Sequence, residues 1–176
     1  MSLNTLEEIA EYIVSDGKGI LAADESNPTC GKRFDSIGVE STETNRRDYR
    51  EMLFRATGMK DNIGGVILFD ETIRQNAEDG TPLVDLIKNQ GALPGIKVDK
   101  GLAPLESSPD ETVTQGLDGL DERCKEYVSL GAKFTKWRAV IKISDTIPSD
   151  ECIEANMRAL AKYAKIVQDN NMVPMV

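Results

Sequence analysis

The stretches GIKVDKG (Gly95 to Gly101) and FTKWRAVIKI (Phe134 to Ile143) decide how this chain is read, because each sets cations inside apolar, strand-forming sequence. Side chains alternate across a strand, so Lys97 and Asp99 share one face, as do Lys136 and Arg138. A lone buried ammonium costs more than strand packing returns, so these charges are expected opposite counter-ions, polar partners or an anionic ligand. Any one of them is equally well explained as a structural ion pair. Their recurrence at strand ends favours an anion-handling site.

Working outward, strand-like and helix-like patterns alternate. Thr5 and Glu8 form a capping box ahead of Leu6, Ile9, Ala10, Ile13 and Val14 at helical spacing, and Gly17 ends the element. Strands are predicted over Gly19–Asp24, Ile63–Asp70, Leu93–Asp99 and Phe134–Ile143, with a fifth beginning at Met172–Val176. Helices are predicted between them. One opens at Ser41 and carries Tyr49, Met52, Leu53 and Ala56 on one face; others cover Thr81–Gln90 and Leu117–Leu130. Ser149 caps a long one with Ile153, Met157, Leu160, Ala161, Ala164 and Val167 inward. Strands separated by long helical crossovers make a parallel sheet, so the fold class is α/β. Charges at the C-terminal ends of strands favour a TIM (β/α)8 barrel over an open doubly wound sheet, although both place sites at that end. On this reading the chain supplies about four βα units and the start of strand five. Residues 1–17 are the N-terminal helix and 18–176 the βα units of one barrel domain. NMVPMV stops inside an apolar run, so a truncated chain with unpaired first and last strands is expected.

Composition narrows the function. With 40% hydrophobic residues among 176, the chain is long enough for a sizeable core. A net charge of −9 argues against a nucleic-acid partner, which needs a basic footprint. Cys30, Cys124 and Cys152 lie far apart, which indicates neither a disulfide scaffold nor a zinc cluster and points to a reducing compartment. There is no histidine, so acid/base chemistry must use Lys, Asp or Glu. No stretch reaches membrane-spanning length, and a cytoplasmic protein is expected.

Two apparent nucleotide motifs are discounted. Gly17, Gly19 and Ala22 precede a strand instead of joining a strand to a helix, and Gly31–Lys32 lacks the rest of a phosphate loop. ADESNPTCGKR (Ala23 to Arg33) is read as a loop whose Ser26, Thr29, Lys32 and Arg33 either grip a phosphate or form a polar surface turn. Arg46 and Arg47 near a helix start oppose the helix dipole, a conflict that a nearby anion would relieve. Arg50 is read as an ordinary surface residue.

Together KGILAADES (18–26), GKRFDSIGVE (31–40), TNRR (44–47), GGVILFDET (64–72), DGTP (79–82), GIKVDKG, TQGLDGLDERC (114–124) and KWRAVIKIS (136–144) resemble class I fructose-bisphosphate aldolase, in family order and near-family spacing. The resemblance implies a (β/α)8 barrel that cleaves fructose 1,6-bisphosphate reversibly through a lysine Schiff base, with no metal or other cofactor. It assigns Asp24 to proton transfer at the sugar hydroxyl, and Lys136 and Arg138 to the cationic lining of the substrate site. Lys97, Ser26 and Thr29 go to one substrate phosphate, and Arg33 and Arg46 to substrate or phosphate binding. In the family a Glu-Pro-Glu stretch follows VPMV and the Schiff-base lysine lies on a later strand. Both are absent from these 176 residues, so the chain alone is expected to be inactive. The family further suggests a homotetramer. The alternatives are a noncatalytic interaction protein using open strand edges and, among enzymes, a transaldolase-like barrel.

Overall fold

The computed structural model describes residues 3–176; Met1 and Ser2, where the expected N-terminal amphipathic stretch begins, lie outside the described residues. Helix α1 (Leu6–Ile13) carries the expected capping box, with Glu8 N donating to Thr5 Oγ1 and the Glu8 carboxylate accepting from Thr5 N. A 3-10 turn (Ser15–Gly17) leads into β1 (Gly19–Ala23). Then come α2 (Asn27–Asp35), α3 (Glu43–Phe54), the short α4 (Met59–Asn62), β2 (Ile63–Leu68), the short α5 (Asp70–Ile73), α6 (Leu83–Asn89) and β3 (Leu93–Lys97). A hairpin of β4 (Leu102–Leu105) and β5 (Ser108–Thr114) precedes α7 (Leu120–Ser129), β6 (Phe134–Lys136), α8 (Asp150–Asp169) and β7 (Val173–Met175).

β1, β2, β3, β6 and β7 form one sheet, parallel throughout and in chain order. A doubly wound sheet reverses its strand order at a switch point, and this one does not. Sequential parallel strands with helical crossovers are the layout of the (β/α)8 barrel family. Among the described residues β1 pairs only with β2, and β7 only with β6.

The strand period of two separates two cores. Val66, Leu68, Ile96 and Val98 face outward and pack with Leu83, Ile87, Leu120, Tyr163 and other helix residues. Ile67 and Phe134 face inward, where Ile9 and Ile13 of α1 join them, with Ile20, Leu93, Val173 and Met175 at the edge of the cluster. The helix therefore fills the concave side of the sheet at its N-terminal end. Residues of the same parity further along each strand, Asp24, Lys97, Asp99 and Lys136, belong to the concave side at the C-terminal end.

Several expectations are corrected. The strand predicted over Phe134–Ile143 stops at Lys136, and Ile143 is 82% exposed. Beyond it, the carbonyls of Arg138 and Val140 accept from Thr114 and Thr112 side chains of β5, drawing the backbone toward the hairpin, which the sequence reading lacked. The strand predicted to Asp70 ends at Leu68, and Asp70 begins α5. The segment read as a loop becomes α2 from Asn27, with Pro28 in the first turn, where a missing N–H costs nothing, and with Cys30 and Phe34 buried. Thr42, not Ser41, caps α3, whose buried residues are Arg50 and Phe54; Met52 is exposed. On α8 the buried stripe is Cys152, Asn156, Ala159, Tyr163 and Val167, and Ile153 and Met157 are exposed. Asn156 turns that stripe inward because its amide donates to the Thr112 carbonyl of β5 at 2.9 Å.

Candidate functional site

Beyond the C-terminal ends of the strands lies a cleft of about 970 Å³. Its floor is set by register. Lys97 of β3 and Lys136 of β6 are direct partners in a parallel pair, so two ammonium groups of the same face stand side by side. Each has a carboxylate. Lys97 Nζ lies 2.8 Å from Asp99 Oδ1, and Lys136 Nζ donates to Asp24 Oδ2 at 2.8 Å. Asp99 and Asp24 are the more buried members, with side chains 6% and 12% exposed against 21% and 24% for their lysines. The amines therefore face the opening, with their counter-ions behind them.

Arg138 also borders the cleft, and its guanidinium makes no ion pair or side-chain hydrogen bond among the described residues. Ser26 and Thr29 line the same space at the start of α2, their hydroxyls 3.1 Å apart. A helix N-terminus beside a pair of hydroxyls that hydrogen-bond each other suits an oxyanion, which can accept from either of them. Asp24, Ser26, Thr29, Lys97, Lys136 and Arg138 are thus brought together from the segment after β1, the start of α2, β3, β6 and the segment after β6.

Arg33 and Arg46 do not border the cleft. Arg33 pairs with Glu25 and lies 3.3 Å from Tyr49 Oη. Arg46 donates in fork geometry to Glu71, Nε to Oε1 at 2.8 Å and Nη2 to Oε2 at 2.6 Å, and also to the Ser41 carbonyl. The conflict of Arg46 with the α3 dipole is relieved by Glu71 from α5. This arginine holds the Glu71 carboxyl below the usual range against the opposing effect of burial. Arg50, read from sequence as a surface residue, is 2% exposed beneath the start of α2.

The opposite wall consists of residues that do not stand out in the sequence. Arg74 binds Asp70 Oδ1 at 2.9 Å and Glu126 Oε1 at 2.5 Å, and Tyr127 Oη donates to Asp70 Oδ1 at 2.8 Å. Burial alone would raise the Asp70 carboxyl, but the hydrogen bonds from Arg74 and Tyr127 outweigh it and hold the group below its ordinary value. Tyr127 is pushed up to about 12 by burial and then by Asp70, so its hydroxyl remains a donor. Arg123 ties the β3 end to the turn between the β4–β5 hairpin and α7 through the carbonyls of Val98 (2.9 Å) and Gly116 (2.5 Å). The available signals were the Asp70–Arg74 spacing of four just after a strand, and the presence of Arg123 in TQGLDGLDERC.

A cleft with paired cations and one unpaired guanidinium can orient an anionic substrate, and the Asp24 carboxylate beside an amine can exchange a proton with a bound hydroxyl.

A family model described as fructose-bisphosphate aldolase class-I matches residues 5–176. The chain is 54% identical over all 176 residues to a probable fructose-bisphosphate aldolase class 1 of Xanthomonas campestris, covering 53% of that protein. It is 57% identical over 172 residues, 97% of the chain, to fructose-bisphosphate aldolase C-A of Danio rerio, covering 47% of it. In a solved structure, fructose-bisphosphate aldolase of Plasmodium falciparum in complex with TRAP and a small-molecule inhibitor superposes with a TM-score of 0.93 at 50% identity. That match covers 96% of this chain and 49% of the other. The chain spans about half the length of the relatives it matches. A family model that accounts for nearly every residue, together with relatives more than half identical along the whole chain, makes this chain a member of the class-I fructose-bisphosphate aldolase family.

Proposed function

We propose that these residues form the first part of a single barrel domain, with one side of a fructose 1,6-bisphosphate site, and that the reaction served is reversible aldol cleavage through a lysine Schiff base. The observation that carries this reading is the Lys97–Lys136 register pair with Arg138 unpaired beside it. Structural ion pairs alone account for the two lysines but leave the free guanidinium without a purpose, whereas a phosphorylated substrate uses all three.

In this reading Lys97, Ser26 and Thr29 hold one phosphate, and Arg138 and Lys136 hold the sugar portion. Asp24 takes the proton of the sugar hydroxyl as that C–O bond becomes a carbonyl and the adjacent carbon–carbon bond breaks, its electron pair passing to the fragment held as the Schiff base, and returns the proton in the reverse reaction. Its removal would lower the rate on the order of 10²- to 10⁴-fold, the range for a positioned acid/base group. Lys136 would also keep a neighbouring Schiff-base amine less protonated, since a cation disfavours a second positive charge nearby. Arg33 and Arg46, each held by a carboxylate, act on the substrate only by exchanging that partner. Of the lysines bordering the cleft, Lys97 and Lys136 are committed to charge and Lys100 is exposed, so none has the desolvated setting that a nucleophilic amine needs. Losing a covalent nucleophile from a cooperative site costs about 10⁶-fold, so the 176-residue chain alone is catalytically silent. The buried free thiols Cys30, Cys124 and Cys152 support a reducing, cytoplasmic setting, and the complete assembly would be a homotetramer.

Trapping with borohydride and dihydroxyacetone phosphate tests this. No covalent mass increase is expected on this chain, while fructose 1,6-bisphosphate should shift the NMR signals of Lys97, Lys136 and Arg138. A covalent adduct on any of its lysines overturns the inactivity, and absence of shifts at those residues overturns the site.

The outer edges of β1 and β7, unpaired among the described residues, favour one further reading, in which an exposed strand recruits a partner by edge pairing.

A further inference from the structure

We infer that Arg50 is a positioning residue for Asp24, fixing the backbone on both sides of that carboxylate so that it meets Lys136. This rests on the role proposed above for Asp24, but the geometry is independent of it. β1 ends at Ala23 and α2 begins at Asn27, so residues 24–26 belong to neither element and have no ladder to hold them. Arg50 reaches under this gap from α3. Its Nε donates to the Ala23 carbonyl at 2.9 Å and its Nη2 to the Glu25 carbonyl at 3.0 Å, bracketing Asp24. Nη1 lies 3.1 Å from Cys30 Sγ on α2. The Glu25 carboxylate balances the charge, with Oε2 3.0 Å from Nη2 and the Tyr49 ring 5.0 Å from the guanidinium carbon.

This is a use that only the planar fork of arginine satisfies. Lysine has three donors on one nitrogen and lacks the second nitrogen, held in a fixed plane, with which Nε and Nη2 of Arg50 meet the two carbonyls separately. A purely structural arginine needs a counter-ion and enough acceptors. Both carbonyls belong to the immediate neighbours of Asp24, the residue of this segment whose carboxylate meets Lys136, and that makes the placement specific. A shift of about 1 Å in a reacting group is enough to cost on the order of 100-fold in rate, so a device that holds Asp24 from behind is of catalytic consequence without touching substrate.

The test reads the Asp24–Lys136 ion pair directly and needs no turnover, so it can fail while the aldolase reading stands, and the reverse. The 176-residue chain is acylated with limiting acetic anhydride and modification at each lysine is quantified by mass spectrometry. Asp24→Asn calibrates the loss of the pair. Arg50→Lys is expected to raise acylation at Lys136 about fivefold, as for loss of one ordinary hydrogen bond's hold, while Lys60 and Lys162 keep wild-type rates. Equal Lys136 rates in wild type and Arg50→Lys, with Asp24→Asn raised, overturn the proposal, as does a uniform rise at all lysines. Arg50→Gln, which retains one donor and much of the volume, takes over if the lysine variant does not fold. Unfolding of both makes Arg50 a requirement of the fold and also counts against the proposal.

Discussion

Lys136 Nζ lies 2.8 Å from Asp24 Oδ2, although their strands are first and fourth in the sheet. Adjacent strands stand about 4.8 Å apart, so three spacings separate the two backbones by roughly 14 Å along the sheet. Side chains from such strands meet only if the sheet curls and both point into the concave side. The ion pair therefore reports barrel curvature, and it places the carboxylate that follows β1 against a cation of the cleft floor.

Removing that carboxylate has an electrostatic consequence distinct from catalysis. Asp24→Asn frees Lys136 from its counter-ion, so the cleft becomes more positive and binds a phosphorylated ligand more tightly. A tightening of about fivefold is expected for one partly exposed pair. Calorimetric titration with fructose 1,6-bisphosphate at constant ionic strength checks it. Weaker binding by the variant would mean that Asp24 holds the ligand itself and does not merely neutralise Lys136.

Glu71 and Arg46 join α5 to α3 through two charge-assisted hydrogen bonds, with side chains only 21% and 12% exposed. Glu71→Gln should cost about 1.5–3 kcal/mol in urea unfolding, the range for hydrogen bonds to a charged group. The native Glu71 carboxyl is lowered from 4.5, chiefly by Arg46. A lowered carboxyl binds its proton less readily in the folded state than in the unfolded one. Its stabilisation is complete above about pH 4.5 and disappears as pH falls through the lowered native value. The gap between wild type and Glu71→Gln should follow that course. A gap that persists at lower pH would place the effect in packing.

How far the sequence carried depended on what kind of interaction set each feature. Alternation alone sufficed for the β1, β2, β3 and β6 starts and for pairing Lys97 with Asp99, since the strand period is local. The end of β6 was hidden because its continuation is decided by Thr112 and Thr114 on a hairpin more than twenty residues earlier. Arg50 was misread for a related reason. Its helix is polar at most positions, and the acceptors that make its burial affordable are main-chain carbonyls of Ala23 and Glu25, which no side-chain pattern displays. Ile153 and Met157 were placed inward by hydrophobicity, but the Asn156 bond to Thr112 rotates the α8 stripe. For the cleft, the six residues it gathers all came from motifs, whereas the Asp70–Arg74–Tyr127 wall depends on side chains from α5 and α7 that meet only in three dimensions.

Gly95 sits inside β3 against the ring of Phe134, and a Cβ added there would overlap that ring. Gly95→Ala should destabilise by about 1–3 kcal/mol, the usual cost of overpacking. Phe134→Leu in the same chain should recover part of the loss, because it vacates the space. The measurement is a double-mutant cycle on urea midpoints. Strict additivity would show that the glycine answers to backbone conformation and not to the ring.

Arg138 offers the cleanest separation of binding from folding. Its guanidinium is exposed and carries no partner among the described residues, so Arg138→Ala should leave stability within about 0.5 kcal/mol of wild type, as for an unengaged surface residue. The same change removes a donor able to form charge-assisted bonds to a ligand oxyanion, a loss of about 1.5–3 kcal/mol or roughly 10- to 150-fold in affinity for fructose 1,6-bisphosphate. Arg46→Ala should show the converse, with a clear fall in stability and only a secondary effect on binding, since its donors are already committed to Glu71 and Ser41. If Arg138→Ala binds as wild type does, the unpaired guanidinium over the cleft has no anion to meet, and the assignment of this face to a sugar bisphosphate loses its main support.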